Sequence, residues 1–445
     1  MNNRLLASAK CAVLALLVIV VASCSKTSEL LNYVPADTKL AATVSLGDLI
    51  KKSNIKDLNA DGTDEQFKKL VNGDFGFAYD NAVVFECNND TFLALEIEDM
   101  EKFEAQMTSK EVDGVKIYEL KDNSNWMKIA VVDGIAFMGN TSDDRLATCV
   151  NHVTNLADEA RLASTDIADK LSGHDINFYV NIGDALAIYA AQLEQILGVS
   201  NIDKAKSFGY VDFDKSDIKG AMTFVDADGG NILKAADLGD VDTDMLKLLD
   251  ANMTNVVALK IKDEILKKAA LLAPTGNGMT ALISQMVISN IEGDFAIGVN
   301  VKDTQNIYAN SATAVVKLKD GAKESLSQII EGQFGLKKDA SGQYSLNRLL
   351  GQDVNIGFKD DYLYVTNVSL PANTFAKTDA AKTFDDKTFA MFSNIAGLSS
   401  LYPSIPQIDG TTILALDDKQ LSFEIHANHN EGNILAYFLK MALNK

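Results

Sequence analysis

The residues best suited to chemistry are carboxylates in short loops. Asp57-Leu58-Asn59-Ala60-Asp61-Gly62-Thr63-Asp64-Glu65 follows the opening of a calcium loop. Asp57, Asn59 and Asp61 take the first, third and fifth ligand positions, Gly62 the sharp turn, Thr63 the carbonyl position and Glu65 the ninth. The twelfth position asks for a bidentate glutamate and holds Lys68, a cation where the strongest ligand belongs. The same stretch also reads as a solvated turn ahead of a helix through Phe67 and Leu70, with Asp64 near its N-terminus. Asp57, Asn59, Asp61, Thr63 and Glu65 are therefore a calcium candidate with an incomplete shell. Asp240-Val241-Asp242-Thr243-Asp244 has ligand spacing too, but no glycine and no closing glutamate. It reads as an acidic linker or a helix start. Asp226-Ala227-Asp228-Gly229-Gly230 reads as a turn.

Catalytic chemistry is harder to find. The chain has no G-x-S-x-G elbow, P-loop, H-E-x-x-H or C-x-x-C. His152 and His174 stand alone in the sequence. His426 and His429 have i, i+3 spacing, but at a strand end, where such positions face opposite sides. Zinc would also want a third and fourth ligand. Paired carboxylates could hydrolyse a glycoside, yet no pair sits in a context that implies a shared cleft. Aromatics that would grip a polymer make up only 7% of the chain, with Trp126 the single Trp. No residue stands out as catalytic.

One cysteine has a clearer role. Arg4 and Lys10 frame the start of an uninterrupted apolar run from Cys11 to Val21. The run is shorter than the roughly 20 residues of a membrane span and has the size of a signal-peptide core. Val21-Ala22-Ser23-Cys24 follows, and small residues before a cysteine resemble the bacterial lipobox. The resemblance implies removal of residues 1–23 and diacylglycerol on the Cys24 thiol, with residues 24–32 as a tether. Acyl chains contribute about 0.8 kcal/mol per buried CH₂, so such a terminus anchors firmly. The expected location is the cell envelope, lipid-anchored at the outer membrane. Ser25-Lys26-Thr27-Ser28 lacks the acidic run of some surface lipoproteins, which favours the periplasmic face. Cys87 and Cys149 both lie among apolar residues. They could form a bridge in an oxidising compartment or stand as two buried free thiols, because spacing does not fix Cα geometry.

The elements that must position these residues come in a repeated order. Leu49-Ile50-Lys51-Lys52 matches Ile265-Leu266-Lys267-Lys268, and Gly73-Asp74-Phe75 matches Gly293-Asp294-Phe295. Val132-Asp133-Gly134-Ile135-Ala136-Phe137 parallels Lys359-Asp360-Asp361-Tyr362-Leu363-Tyr364. Asn181-Ile182 recurs as Asn394-Ile395, and Gly230-Asn231-Ile232-Leu233 as Gly432-Asn433-Ile434-Leu435. The matches are collinear, which implies a duplication. The expected copies are 33–240 and 251–445, joined by an acidic linker at 241–250. Each copy opens with a strand (Leu40 to Leu46) and a helix through Leu49 and Ile50. Hairpins then turn at Asn88-Asn89-Asp90 and at Asp133-Gly134. A helix begins after Asp99 and carries Met100, Phe103 and Met107 at helical spacing. A strand from Ile176 to Asn181, a helix through Leu186, Tyr189, Leu193 and Leu197, and a strand pair from Phe208 to Val225 follow. Hairpins mixed with helices imply an α+β fold of antiparallel sheets with helices packed on one face.

The stretch Leu31-Asn32-Tyr33-Val34-Pro35-Ala36-Asp37-Thr38 leads into an apolar strand and a Lys-rich helix. With the lipobox and the length, it resembles a domain-of-unknown-function family of Bacteroidetes lipoproteins. The resemblance implies an envelope location and a two-part architecture, and no chemistry.

Composition narrows the function. An apolar content of 47% and only 4 Cys in 445 residues exclude disorder and a disulfide scaffold. A net charge of −20 argues against nucleic acid, whose phosphates need Lys and Arg. The acidity is uneven: residues 24–250 carry 21 Lys and Arg against 41 Asp and Glu, and residues 251–445 carry 18 against 20. The expected function is an envelope-anchored, non-catalytic binding or scaffold module with a protein or small-molecule partner. The alternatives are a calcium- or cation-binding acidic module and a hydrolase acting on an extracytoplasmic polymer.

Overall fold

The computed structural model describes residues 27–55, 73–120, 128–272, 288–302, 309–349, 352–396 and 408–443. The chain divides into two compact units. The first takes residues up to Leu186, Asp203–Met222 and the chain from His429 onward, and the second takes Ala187–Ile202 and Thr223–Asn428.

The strands of the first unit are β1 (Leu40–Val44), β2 (Phe77–Cys87), β3 (Asp90–Ile97), β4 (Met107–Val112), β5 (Val115–Leu120), β6 (Lys128–Val132), β7 (Ile135–Gly139), β8 (Ile176–Asn181), β9 (Lys206–Phe213) and most of β10 (Asp217–Val225). They lie in the order β4-β5-β6-β7-β3-β2-β1-β8-β9-β10, antiparallel from β4 to β9. The second unit has β11 (Asn255–Lys260), β12 (Ile291–Asn300), β13 (Ser311–Leu318), β14 (Tyr344–Leu349), β15 (Gln352–Lys359), β16 (Tyr362–Thr366), β17 (Phe389–Asn394), β18 (Gly410–Leu416) and β19 (Leu421–Ala427). Their order is β14-β15-β16-β13-β12-β11-β17-β18-β19, again antiparallel. Leaving β4 aside, the second order follows the first place for place. The fold is mixed α+β on antiparallel sheet, in line with the pattern of hairpins and helices in the sequence.

Turn chemistry sets the hairpins. Asn88 and Asn89 have φ of 55° and 64°, and Asp133 and Gly134 have 52° and 77°. A two-residue hairpin loop of this type needs left-handed backbone at both positions, which Asn, Asp and Gly tolerate. Asp113 and Gly114, at 48° and 78°, make a third such turn between β4 and β5. That hairpin changes one expectation. The helix capped by Asp99 ends at Gln106, and Met107 opens β4 opposite Leu120 instead of closing a helical stripe. The Asp113-Gly114 turn folds the following chain into a hairpin, so Met107 is buried from a strand.

The matched sequence stretches fall on corresponding elements, with one exception. Leu49 and Ile265 lie on the helices Leu46–Ser53 and Asp263–Leu272, which follow β1 and β11. Asp133 and Asp360 lie in the β6–β7 and β15–β16 turns, Asn181 and Asn394 end β8 and β17, and the Gly-Asn-Ile-Leu stretches open helices after β10 and β19. Gly73-Asp74-Phe75 precedes β2, whereas Gly293-Asp294-Phe295 lies inside β12, so that pair agrees in sequence only.

Two stretches read as tether or linker are packed. Thr27–Leu30 is helical and Leu31–Tyr33 is a 3-10 turn, with Leu30 and Leu31 buried. Asp242 accepts from the Asp244 N–H at 3.0 Å and caps a 3-10 helix over Thr243–Leu248. Met245, Leu246, Leu248 and Leu249 sink into a core with Val256, Phe375 and Phe384. The acidic residues of this stretch cap and solvate a segment whose apolar residues are core.

Candidate functional site

Strands β2 and β3 slip register once. Phe77 pairs with Ile97 and Ala82 with Leu95, so Ala78–Asn81 stand opposite Glu96 alone. A bulge bends its strand and takes side chains out of the ladder. Gly76 fixes its base. The Gly76 carbonyl accepts from the N–H groups of Glu98 and Asp99, both at 2.9 Å. Its φ is +70°, and a Cβ there would lie 2.1 Å from the Asp99 carbonyl oxygen. Only glycine fits.

A cavity of about 420 Å³ opens beside this bulge. Glu29 comes from the N-terminal helix and Tyr33 from the 3-10 turn after it. Asp80 comes from the bulge, Glu96 from β3 and Asp133 from the β6–β7 turn. Arg161 arrives from the loop after the helix Asp143–Thr154. Two backbone bonds hold the loop to the N-terminal segment: Ala36 N–H to the Ala160 carbonyl and Leu162 N–H to the Val34 carbonyl, each 2.8 Å. Tyr33 meets Phe137 edge-on, with ring centres 5.6 Å apart.

The described lining mixes apolar and charged residues. Its described residues include four acidic ones (Glu29, Asp80, Glu96, Asp133) and Arg161. Arg161 is already engaged: its Nε and Nη2 donate to the Leu156 carbonyl at 3.2 and 3.0 Å, and its Nη1 is 3.2 Å from Asp158. Burial pushes the Tyr33 phenol up, Asp133 and Glu29 add to that, and Arg161 opposes it. Low-dielectric walls lined by one sign of charge focus an attractive field on a cation. The volume suits a small organic molecule.

The corresponding place in the second unit is occupied from within. Ile291 pairs with Leu318 and Phe295 with Val316, so Glu292–Asp294 stand opposite Lys317 alone. The Lys317 ammonium lies 2.9 Å from Asp242 and 3.5 Å from Glu292. The Tyr362 hydroxyl donates to the same Asp242 oxygen at 2.8 Å. Asp294 is fully buried, with Lys260 at 2.5 Å and the Asp242 N–H at 3.0 Å.

The candidates read from sequence fare differently. Cys24 and the loop Asp57, Asn59, Asp61, Thr63 and Glu65 lie outside the described residues. Cys87 and Cys149 are brought together as buried free thiols. Their hydrogen bond, reinforced by burial, pushes the Cys149 thiol up. Asp226 accepts from the N–H groups of Asp228 and Gly230, at 2.9 and 2.8 Å, as a turn residue does. His174 is not alone. Its Nδ1 is 2.7 Å from Asp212, and its ring stacks on Tyr210 at 3.7 Å. His429 stacks on Tyr437 at 4.7 Å. Among the described residues, no three His, Cys, Asp or Glu side chains converge as metal ligands.

The pocket residues were not legible as a set. Asp133 reads as a turn and Tyr33 as part of a strand entry. The one local signal is Asp80-Asn81, a polar pair breaking the apolar pattern of β2.

No family model matches the chain, and no curated protein matches it. It is similar to the crystal form I structure of TP0453, with 10% identity and a TM-score of 0.27, over 47% of this chain and 81% of that one. It is similar also to the crystal form III structure of TP0453, with 8% identity and a TM-score of 0.24, over 79% and 97%. Values this low fix neither a fold nor a function.

Proposed function

We propose that the chain is an envelope-anchored lipoprotein built from two tandem copies of one α+β unit. It acts as a non-catalytic binding module, and its binding place is the acidic pocket of the first unit, which takes a cationic ligand. The pocket carries this reading: about 420 Å³, with Glu29, Asp80, Glu96 and Asp133 among its described lining residues beside Arg161. The tandem copies are supported by the common strand order and by a bulge at the same place in each sheet. The anchor is supported by the apolar run and Cys24, and by the resemblance to Bacteroidetes lipoproteins of unknown function. The outer membrane, facing the periplasm, is the location this implies.

The test is a cation panel on the full chain in detergent, read by melting temperature and calorimetry. A cation should stabilise the parent chain and fail to stabilise folded Asp133→Asn and Glu29→Gln variants. No response to any cation overturns the reading. A response that survives both substitutions and is lost in Asp61→Asn places binding in the 57–65 loop and overturns the pocket.

A further inference from the structure

We propose that Cys87 and Cys149 are a modification site: as the first unit folds, an external disulfide takes two electrons from the pair and leaves a Cys87–Cys149 bond. The proposal is independent of the pocket and of its ligand. It draws on the envelope location read from the leader, where thiols meet an oxidising compartment.

The fold brings together two cysteines about 60 residues apart in the chain. Cys87 closes β2 and pairs with Asp90 across the Asn88-Asn89 turn. Cys149 lies on the helix Asp143–Thr154. Arg145, four residues before Cys149, shares its helix face. The Arg145 Nη2 donates to the Asn88 carbonyl at 3.3 Å, and its Nε lies 2.7 Å from the Asp90 carboxylate. Thr141, just ahead of that helix, donates to the same carboxylate at 2.9 Å. The turn next to Cys87 is thus held against the face that carries Cys149, and the two thiols share a hydrogen bond. Cys87 is 4% exposed and Cys149 is fully buried.

The surroundings favour a bond over other thiol chemistry. A reactive dithiol needs an electropositive, partly exposed setting. This one is buried, with the carboxylates of Asp90 and Glu86 opposing a thiolate at Cys149. A zinc ion wants four ligands, and no third His, Cys, Asp or Glu converges with the pair among the described residues. A disulfide is neutral and needs neither. Sulfurs in hydrogen-bond contact have only to close to roughly 2.0 Å.

The donor is a thiol–disulfide oxidoreductase carrying its own disulfide. The Cys87 thiolate attacks one donor sulfur, and the other leaves as a thiolate. Cys149 gives up its proton and attacks the mixed disulfide at the Cys87 sulfur, expelling the second donor sulfur. Both electrons and both protons end on the donor, which departs as a dithiol. A protein donor does not reach sulfurs so buried, so the exchange belongs to folding, before the helix docks. The pair described here is the reduced form.

The test uses the full chain with its leader, expressed in a Gram-negative host. The envelope fraction is quenched in acid, free thiols are alkylated in denaturant, and peptides are read by mass spectrometry before and after reductant. A peptide pair joining Cys87 to Cys149 should be present before reductant and separate after it. The urea midpoint of the purified parent should fall by about 1 M when reductant is added. That of Cys87→Ala should not respond to reductant. The alkylation readout is taken on denatured parent chain, so it holds even if the variant does not fold. Cys87 and Cys149 found alkylated before reductant, or either found joined to Cys24, overturns the proposal.

Discussion

Lys317 holds its ammonium 2.9 Å from the Asp242 carboxylate, and through that contact a strand of the second unit's sheet is tied to the 3-10 helix that seals its core. Asp242 also caps that helix, accepts from Tyr362 and donates its N–H to Asp294. One side chain thus satisfies three donors at once.

Removing it should be costly. Asp242→Ala uncaps the helix, takes the acceptor from Tyr362 and leaves Lys317 with the longer contact to Glu292, at a site about a quarter exposed. The expected loss is about 2 kcal/mol of stability. Asp242→Asn keeps a capping oxygen and should lose less. Urea unfolding checks both, and equal losses would show that the capping oxygen adds nothing beyond the ion pair.

Acid should act through the same group. Burial pushes the Asp242 carboxyl up, but hydrogen bonds from Lys317, Tyr362 and the Asp244 N–H outweigh it and hold it below the usual range. Lys110 and Lys128 hold Asp143 below it as well. Such carboxyls bind fewer protons folded than unfolded. Their stabilisation is therefore complete above the unfolded pKa, about 3.9, and lost as pH falls through the folded value. The urea midpoint should drop as pH is lowered from about 5 to 3. Asp242→Asn and Asp143→Asn should each flatten that drop, and an unchanged slope in both would contradict the assignment.

Gly76 should resist replacement more than another left-handed glycine. Gly76→Ala combines a φ of +70° with a Cβ 2.1 Å from a carbonyl oxygen. Gly114 has a φ of +78° and open space around it. Gly114→Ala should cost about 1 kcal/mol and Gly76→Ala at least twice that. Equal costs in urea unfolding would show that the close approach relaxes freely.

The anchor has its own test. A Cys24→Ser chain expressed in a Gram-negative host should leave the membrane fraction on cell fractionation. Its persistence there would contradict lipid attachment.

The sheet was largely readable because its signals are local. Asn88-Asn89 and Asp133-Gly134 announce two-residue turns, and Asp99 with Phe103 announces a capped helix. β4 was not readable. Thr108–Glu111 are exposed, so no alternation marks the strand, and Met107 continues a helical spacing from Phe103. The helix Asp143–Thr154 does carry a signature, a Ser142 cap with Leu146, Val150 and Val153 on one face, which a reading by strands passes over. The pocket is different in kind. Its described residues come from five separate stretches between 29 and 161, brought together by strand pairing, by a bulge and by the bonds between the N-terminal segment and the Arg161 loop. A bulge depends on which strands pair, and no window of sequence contains that.

The membership of the first unit has a consequence for biosynthesis. Its helix Ile434–Leu443 packs on Leu46–Ser53, and Asn433 donates to the Phe213 carbonyl at 3.1 Å. Residues 429–443 are made after the whole of the second unit. The half of the molecule that is translated first is therefore the half completed last, and until then it presents an uncovered helix face. Folding in order of synthesis is the usual route for multidomain chains. Here the early half must be kept from misfolding until the late segment arrives, and a ribosome that stops at residue 428 would leave the N-terminal unit, not the C-terminal one, incomplete.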